Sequence, residues 1–202
     1  MATSKTRKSS LNPQIVFVDP NVVERCTPAS PQTDLNQFDG NRDHPHAFFN
    51  RGYFIESKRT GQILGGDWDV RPSPRFDELL ECVAIREHIS GETPWIESDF
   101  CNRCVRAIES GYQSRGHINP DEFVKSRVEQ IEKLIASVSE FGVYPSEDVF
   151  DNISVNISSS GEYLFNNRGH HRLSVARSLG MSSVPVLVVI THEKFSCLDR
   201  IF

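Results

Sequence analysis

The sequence has no long hydrophobic run. Its longest apolar stretch, Val184–Ile190, is interrupted by Pro185 and falls far short of the ~20 residues a helix needs to cross a bilayer. No apolar segment follows the basic, polar Met1–Ser10, so a secretory signal is not expected. A basic excess is missing too. The 22 Lys and Arg against 27 Asp and Glu leave a net charge of −5, which argues against nonspecific DNA binding through a strongly basic surface. A local basic site is still allowed. The five cysteines are an odd number, and a chain of this length buries enough surface to fold without a disulfide or metal staple. Reduced thiols and a cytoplasmic location are therefore expected. What remains is 202 residues, 38% hydrophobic and 24% charged. That is the composition of a folded domain of moderate size, not of a disordered chain.

Residues 1–13 hold three serines, two lysines and one arginine with almost nothing apolar, and read as a disordered tail. Residues 14–202 read as a single α/β domain. Ile15–Val18 is a short strand that stops at Asp19-Pro20. Cys26–Pro45 is a long loop, and Arg51–Ile55 with Gln62–Leu64 suggests a hairpin. Phe76–Ser90 has apolar residues at helical spacing, with Gly91 as its C-cap. Glu97–Ser110 is a second helix. Pro120–Phe141 is a third, with Asn119 and Pro120 in the N-cap-then-N1 arrangement and Gly142 closing it. Ile153–Ile157 alternates as a strand, Ser158–Gly161 turns, and Glu162–Phe165 returns. Gly169–Leu179 is a helix, and Val184–Ile190 is a buried strand. The expected architecture is a small mixed sheet with a strand-strand-helix-strand core packed on the Gly169 helix. Residues 76–141 form a helical insertion or lobe beside it.

The segment Leu164–Ser174 joins a strand to a helix. Gly169 permits a close backbone approach or an unusual dihedral. The first N–H groups of the helix lack intrahelical partners and carry the positive end of its dipole. Arg168, His170, His171 and Arg172 crowd the same turn. The combination suits a phosphate or another anion; its alternative is a helix end that is simply solvated.

Residues 169–189, Gly-His-His-Arg-Leu-Ser-Val-Ala-Arg-Ser-Leu-Gly-Met-Ser-Ser-Val-Pro-Val-Leu-Val-Val, resemble the ParB-N/sulfiredoxin-like superfamily. Its members share a strand, a Gly-x-x-Arg turn, a helix with a Leu-Gly end and an Ile/Val-Pro-Val strand. They bind nucleotides with the phosphates at the start of that helix, and they include chromosome-partitioning CTPases, sulfiredoxins and free-serine kinases. The Gly-His-His-Arg turn looks most like the kinases. A closer likeness, covering more of the chain, is to uncharacterised ParB-like proteins; it takes in Val155-Asn156-Ile157 and, more weakly upstream, Gly66-Asp67-Trp68-Asp69 and Gly91–Trp95. The resemblance implies a nucleotide triphosphate (ATP or CTP) as ligand, with Asn167, Arg168, Gly169, His170, His171, Arg172 and Ser174 around its phosphates.

Departures from the pattern restrict the activity. His170 stands where sulfiredoxins carry their nucleophilic cysteine, which argues against sulfinic acid reduction. Arg168 stands where the kinases usually have Asp. The chain ends at Phe202, ten residues past His192, so the helix-turn-helix domain of the partitioning proteins is not expected. Two readings stay open. One is a Mg²⁺-dependent, kinase-like phosphotransferase, with Asp67 and Asp69 as metal ligands or base and His171 as a third catalytic group. The other is a non-catalytic, nucleotide-gated module acting through a protein or DNA partner. Both expect a nucleotide, an unidentified small-molecule or protein partner, and no membrane.

The remaining candidates read as structural. Cys101-Asn102-Arg103-Cys104 has no second ligand pair for zinc, so two packed thiols are expected. His44-Pro45-His46 lacks a third ligand. His88 ends a helix, where capping or packing is expected. Arg115 and His117 sit in a polar loop that reads as solvated, with closure over a nucleotide as its alternative. His192 follows the buried strand and is a weak candidate for the site.

Overall fold

A computed structural model describes residues 14–28, 60–70, 72–166 and 168–198. These residues form a mixed α/β structure built around one open sheet. Its strands are β1 (Gln14–Val18), β2 (Arg25–Cys26), β3 (Gln62–Leu64), β4 (Ile153–Ile157), β5 (Tyr163–Phe165) and β6 (Val184–His192). The helices are α1 (Leu80–Ser90), α2 (Asp99–Glu109), α3 (Pro120–Phe141), α4 (His170–Ser178) and α5 (Glu193–Leu198).

The β-branched run of β6 forms the centre, as expected for a strand buried on both faces. β1 pairs antiparallel with its first half, from Gln14 opposite Val188 to Val18 opposite Val184. β3 pairs parallel with its last residues, Ile190–His192. β4 lies parallel along the other edge, with a register shift between Val155 and Asn156. β5 is antiparallel to β4 and β2 is parallel to β5, giving the order β1-β6-β4-β5-β2.

One face of the sheet packs Ile153, Val155, Val184, Val186 and Val188 against Leu173 and Ala176 of α4. The opposite face sets Leu187, Val189 and Ile190 against Leu64, Trp68 and Phe150. A second core lies beyond α4. Val175 meets Ala84 and Ile85 of α1, Phe100 and Cys104 of α2, and Phe123 and Ile131 of α3, around Trp95. The helices α1, α2 and α3 thus pack on α4.

The helix ends follow local chemistry. Ser98 accepts from the Cys101 N–H, and Asn119 accepts from the Glu122 N–H ahead of Pro120. α1 begins later than its periodicity indicates. Phe76–Glu78 is a 3₁₀ turn and Leu79 is extended. The reason is tertiary: the Phe76 N–H donates to Glu24 O and the Cys26 N–H to Pro74 O, which pins this segment beside β2. The hairpin expected at 51–64 is described only at Gln62–Leu64, and that strand pairs with β6. Its other half, the 1–13 tail and His44-Pro45-His46 lie outside the described residues. No helix among the described residues is long and apolar enough to cross a membrane.

Candidate functional site

β5 and α4 are joined by a turn fastened to β4. Ser154 O accepts from the Asn166 N–H at 2.8 Å and Ser154 N–H donates to Arg168 O at 3.0 Å. The Ser154 hydroxyl accepts from the Arg168 N–H at 2.9 Å. Gly169 then adopts φ +82°, and a Cβ placed on it would meet the Ile153 Cα at 2.7 Å. Only glycine suits both the dihedral and the backbone contact. As the N-cap of α4 it offers no side-chain cap. The first-turn N–H groups of a helix have no intrahelical acceptor, so this end of α4 is left electropositive.

Glu81 organises the surroundings. It lies in the first turn of α1 and is fully buried. Its Oε2 accepts from Arg115 Nη2 at 2.5 Å and His170 Nε2 at 3.0 Å. Its Oε1 accepts from Arg127 Nη2 at 2.8 Å and His171 Nε2 at 2.6 Å. An ionised carboxylate only accepts. Each imidazole Nε2 therefore carries a hydrogen. Arg127 Nη2, 3.0 Å from His171 Nε2, is then a second donor to the same oxygen. The two rings lie 3.9 Å apart between centroids. One carboxylate thus ties α1, α3, α4 and the 111–119 loop together.

Arg115 reaches it from a tight turn in which Ser114 and His117 exchange backbone hydrogen bonds at 2.9 Å. Arg115 has φ +49°, the one non-glycine positive φ among the described residues. This is costly backbone geometry, of the kind that clusters at functional sites. The loop is therefore not simply solvated at Arg115, contrary to the sequence reading.

Burial raises the Glu81 carboxyl, but the positive neighbours and the hydrogen bonds from His170 and His171 outweigh it and hold it well below the usual range. Burial pushes His171 down to about 4, so its imidazole is neutral near pH 7. Four arginines (Arg115, Arg127, Arg168 and Arg172) stand against two carboxylates (Glu81 and Asp151).

Glu81, His170 and His171 are also the one group of three potential metal-ligating side chains among the described residues, with ligand atoms within 4.8 Å. A cation does not suit the place. Both carboxylate oxygens already hold guanidinium groups, and a divalent ion would add charge to a positive, part-buried cluster.

The residues predicted for the phosphates divide. Gly169, His170 and His171 converge as described. Arg172 sits at the turn, and its Nη2 donates to Asp151 O at 2.5 Å and to Asp151 Oδ1 at 3.2 Å. Arg168 Nη1 donates to Phe150 O at 3.1 Å. Ser174 is buried, and its hydroxyl donates to Cys82 O of α1 at 3.4 Å; one turn into the helix, it packs between helices rather than lining the turn. Asn167 is outside the described residues.

Asp67 and Asp69 are not brought to the turn. The Gly169 turn lies against Ile153 at the start of β4, whereas Asp69 accepts from the Ser159 N–H beyond the end of that strand. The length of β4, roughly 13 Å at 3.3 Å per residue, lies between. Parallel pairing of β3 with the end of β6 carries the Gly65–Asp69 loop to that far edge. His192 lies there too, not at α4.

The other candidates are structural. Cys101 and Cys104 are buried, and burial pushes their thiols up to about 11 and about 12. His88 Nδ1 accepts from the Trp95 N–H and its Nε2 meets Glu132 at 2.9 Å.

Glu81 and Arg127 were missed in the sequence. Arg127 did leave a signal: Phe123, Arg127 and Ile131 are four residues apart, so a charge interrupts a buried stripe. Glu81 likewise stands one turn before Ile85. Comparison with known proteins finds no match, whether to a family model, a curated protein or a solved structure.

Proposed function

We propose that the start of α4 is a phosphate site, and that this chain is an intracellular nucleotide-binding protein whose helical layer responds to the occupant. One observation carries the reading: Arg115, Arg127, His170 and His171 converge on a single buried carboxylate beside an uncapped helix N-terminus. The four arginines and the first-turn N–H groups complement a phosphate rather than a cation. The likeness of residues 169–189 to the ParB-N/sulfiredoxin-like superfamily supports the same reading, as does the order β4, β5, α4, β6. The four described cysteines are unpaired, in keeping with a reducing compartment.

The non-catalytic module is the better supported of the two readings. A kinase-like step needs a base and a metal ligand at the phosphates. Asp67 and Asp69 stand at the far end of β4, and an imidazole depressed to about 4 is a weak base. The Glu81 hub, in contrast, connects the turn to α1, α3 and the 111–119 loop. Any Mg²⁺ at α4 would arrive on the nucleotide.

The test is a thermal-shift panel with ATP, ADP, CTP and GTP, with and without Mg²⁺, on wild type and Arg172→Ala. A ligand at a hundred times its Kd adds about 2.7 kcal/mol, a rise of roughly 5–10 °C for a chain of this size. The rise is expected in wild type and not in the variant. If no nucleotide moves the wild-type Tm, the proposal fails.

A further inference from the structure

The side chains at the start of α4 have two sets of partners. His170 and His171 turn to Glu81. Arg168 and Arg172, one helical turn apart, reach instead to the connection between α3 and β4. Arg168 Nη1 donates to Phe150 O at 3.1 Å. Arg172 Nη2 donates to Asp151 O at 2.5 Å and to Asp151 Oδ1 at 3.2 Å. Asp151 stands at this turn because Ile153, two residues on, is the backbone that Gly169 packs against. A carboxylate of the chain itself thus holds an arginine that a phosphate would need.

The backbone that presents this carboxylate is fixed. Val149–Asp151 is a 3₁₀ turn capped by Asp148, whose side chain accepts from the Phe150 N–H. Asn152 is buried, and it closes the connection on itself. Its Oδ1 accepts from the Ser146 N–H at 2.9 Å and its Nδ2 donates to Val149 O at 3.0 Å. Val149 and Phe150 pack on the second face of the sheet, against Leu187, Val189 and Ile190. Holding Asp151 beside Arg172 therefore costs little further ordering.

The carboxylate itself is loosely held. Only one of its oxygens meets Arg172, at 3.2 Å, longer than the roughly 2.7–2.9 Å of a strong charge-assisted bond. The Asp151 side chain is 64% exposed and that of Arg172 24%, so water and solutes reach the pair. Among the described residues Arg172 has no partner other than Asp151. An exposed pair of this kind is weak enough to be exchanged. A phosphate brings more charge and more acceptor oxygens than the carboxylate it replaces. A carboxylate ligand would exchange like for like.

We infer that Asp151 is a built-in competitor at the α4 turn: its carboxylate holds Arg172 until a phosphate oxygen takes its place. The inference rests on the phosphate reading of the turn. It adds that the turn is guarded against weak anions and selects polyphosphates by their power to displace Asp151.

The experiment is calorimetric titration of inorganic triphosphate and of ATP into the full chain, at an ionic strength of about 0.15 M, where charges beyond roughly 8 Å are largely screened. Wild type is compared with Asp151→Asn and Glu147→Gln. Asp151→Asn removes the competing charge and should tighten binding about two- to fivefold, the range of an exposed ion pair. Glu147 is exposed on the same connection and has no ion pair among the described residues, so Glu147→Gln should leave the affinity unchanged. Equal tightening in both variants would reduce Asp151 to part of a general negative field and overturn the inference. An unchanged or weaker affinity in Asp151→Asn, with wild type binding, overturns it too and leaves the phosphate reading standing. Binding by Asp151→Asn alone establishes it in its strongest form, and binding by none of the three proteins rejects both readings. Should Asp151→Asn not fold, Asp151→Ser decides by the same comparison.

Discussion

Glu81 has no access to water, so protein groups alone hold its charge. Four donors on two oxygens achieve this. Removing the charge leaves Arg127 buried and uncompensated. Glu81→Gln should therefore destabilise the fold by about 3–5 kcal/mol, read as a lowered urea midpoint with unchanged m. A cost below about 1 kcal/mol would mean that the hub is ornamental. The same cluster sets the acid limit of the fold. His171 is depressed to about 4 from its ordinary 6.5, so on acidification the unfolded chain takes up that proton first. The contribution is complete above pH 6.5 and lost between 6.5 and 4, on the order of 2–3 kcal/mol. Glu81, held low, adds a second loss that begins near the ordinary carboxylate pKa of about 4.3. Urea midpoints should fall across this window in wild type. In His171→Gln, which keeps a donor for Glu81, the fall between 6.5 and 4 should largely disappear. An unchanged slope in that variant would place the pH dependence elsewhere.

At the scale of elements, the α4 turn depends on one glycine. A side chain at Gly169 faces both a positive φ and the backbone of Ile153, which cannot step aside as a flexible side chain would. Gly169→Ala should cost at least about 2 kcal/mol and lower Tm by roughly 5 °C or more. A neutral Gly169→Ala would mean that the turn has another accessible path. The elements differ in how openly the sequence declared them. α3 was legible end to end because Asn119, Pro120, the apolar stripe and Gly142 act locally. β6 was legible as a buried apolar strand over Val184–Ile190. β2 was not, because two residues become a strand only through their pairing with Leu164 and Phe165. The start of α1 was misplaced because β2 holds Phe76 back. The site divides the same way. Gly169–Arg172 is a contiguous word in the sequence, whereas Glu81 lies 89 residues from His170 and 46 from Arg127. No local rule joins such residues; a charge interrupting an apolar stripe shows only that a partner exists.

For the whole molecule, the distribution of charge matters more than its sum. The net −5 conceals a cationic cluster where α4 begins and an acidic loop at the other end of β4. The cationic end is also where the two hydrophobic cores meet, since α4 packs the sheet on one side and α1–α3 on the other. A phosphate that draws on Arg115 or the imidazoles must change how Glu81 is shared, and with it the hold of α1, α3 and the 111–119 loop on α4. Amide hydrogen exchange reads that directly. With a nucleotide that raises Tm, protection should rise at the start of α4 and also in residues 111–119 and the first turns of α1 and α3. Arg115→Ala should leave the α4 response in place and abolish the response of the loop, because the loop's one ion pair to Glu81 is gone. Protection confined to α4 in wild type would show that the helical layer is a passive cover. A loop response that persists in Arg115→Ala would show that the signal travels through the packed cores instead.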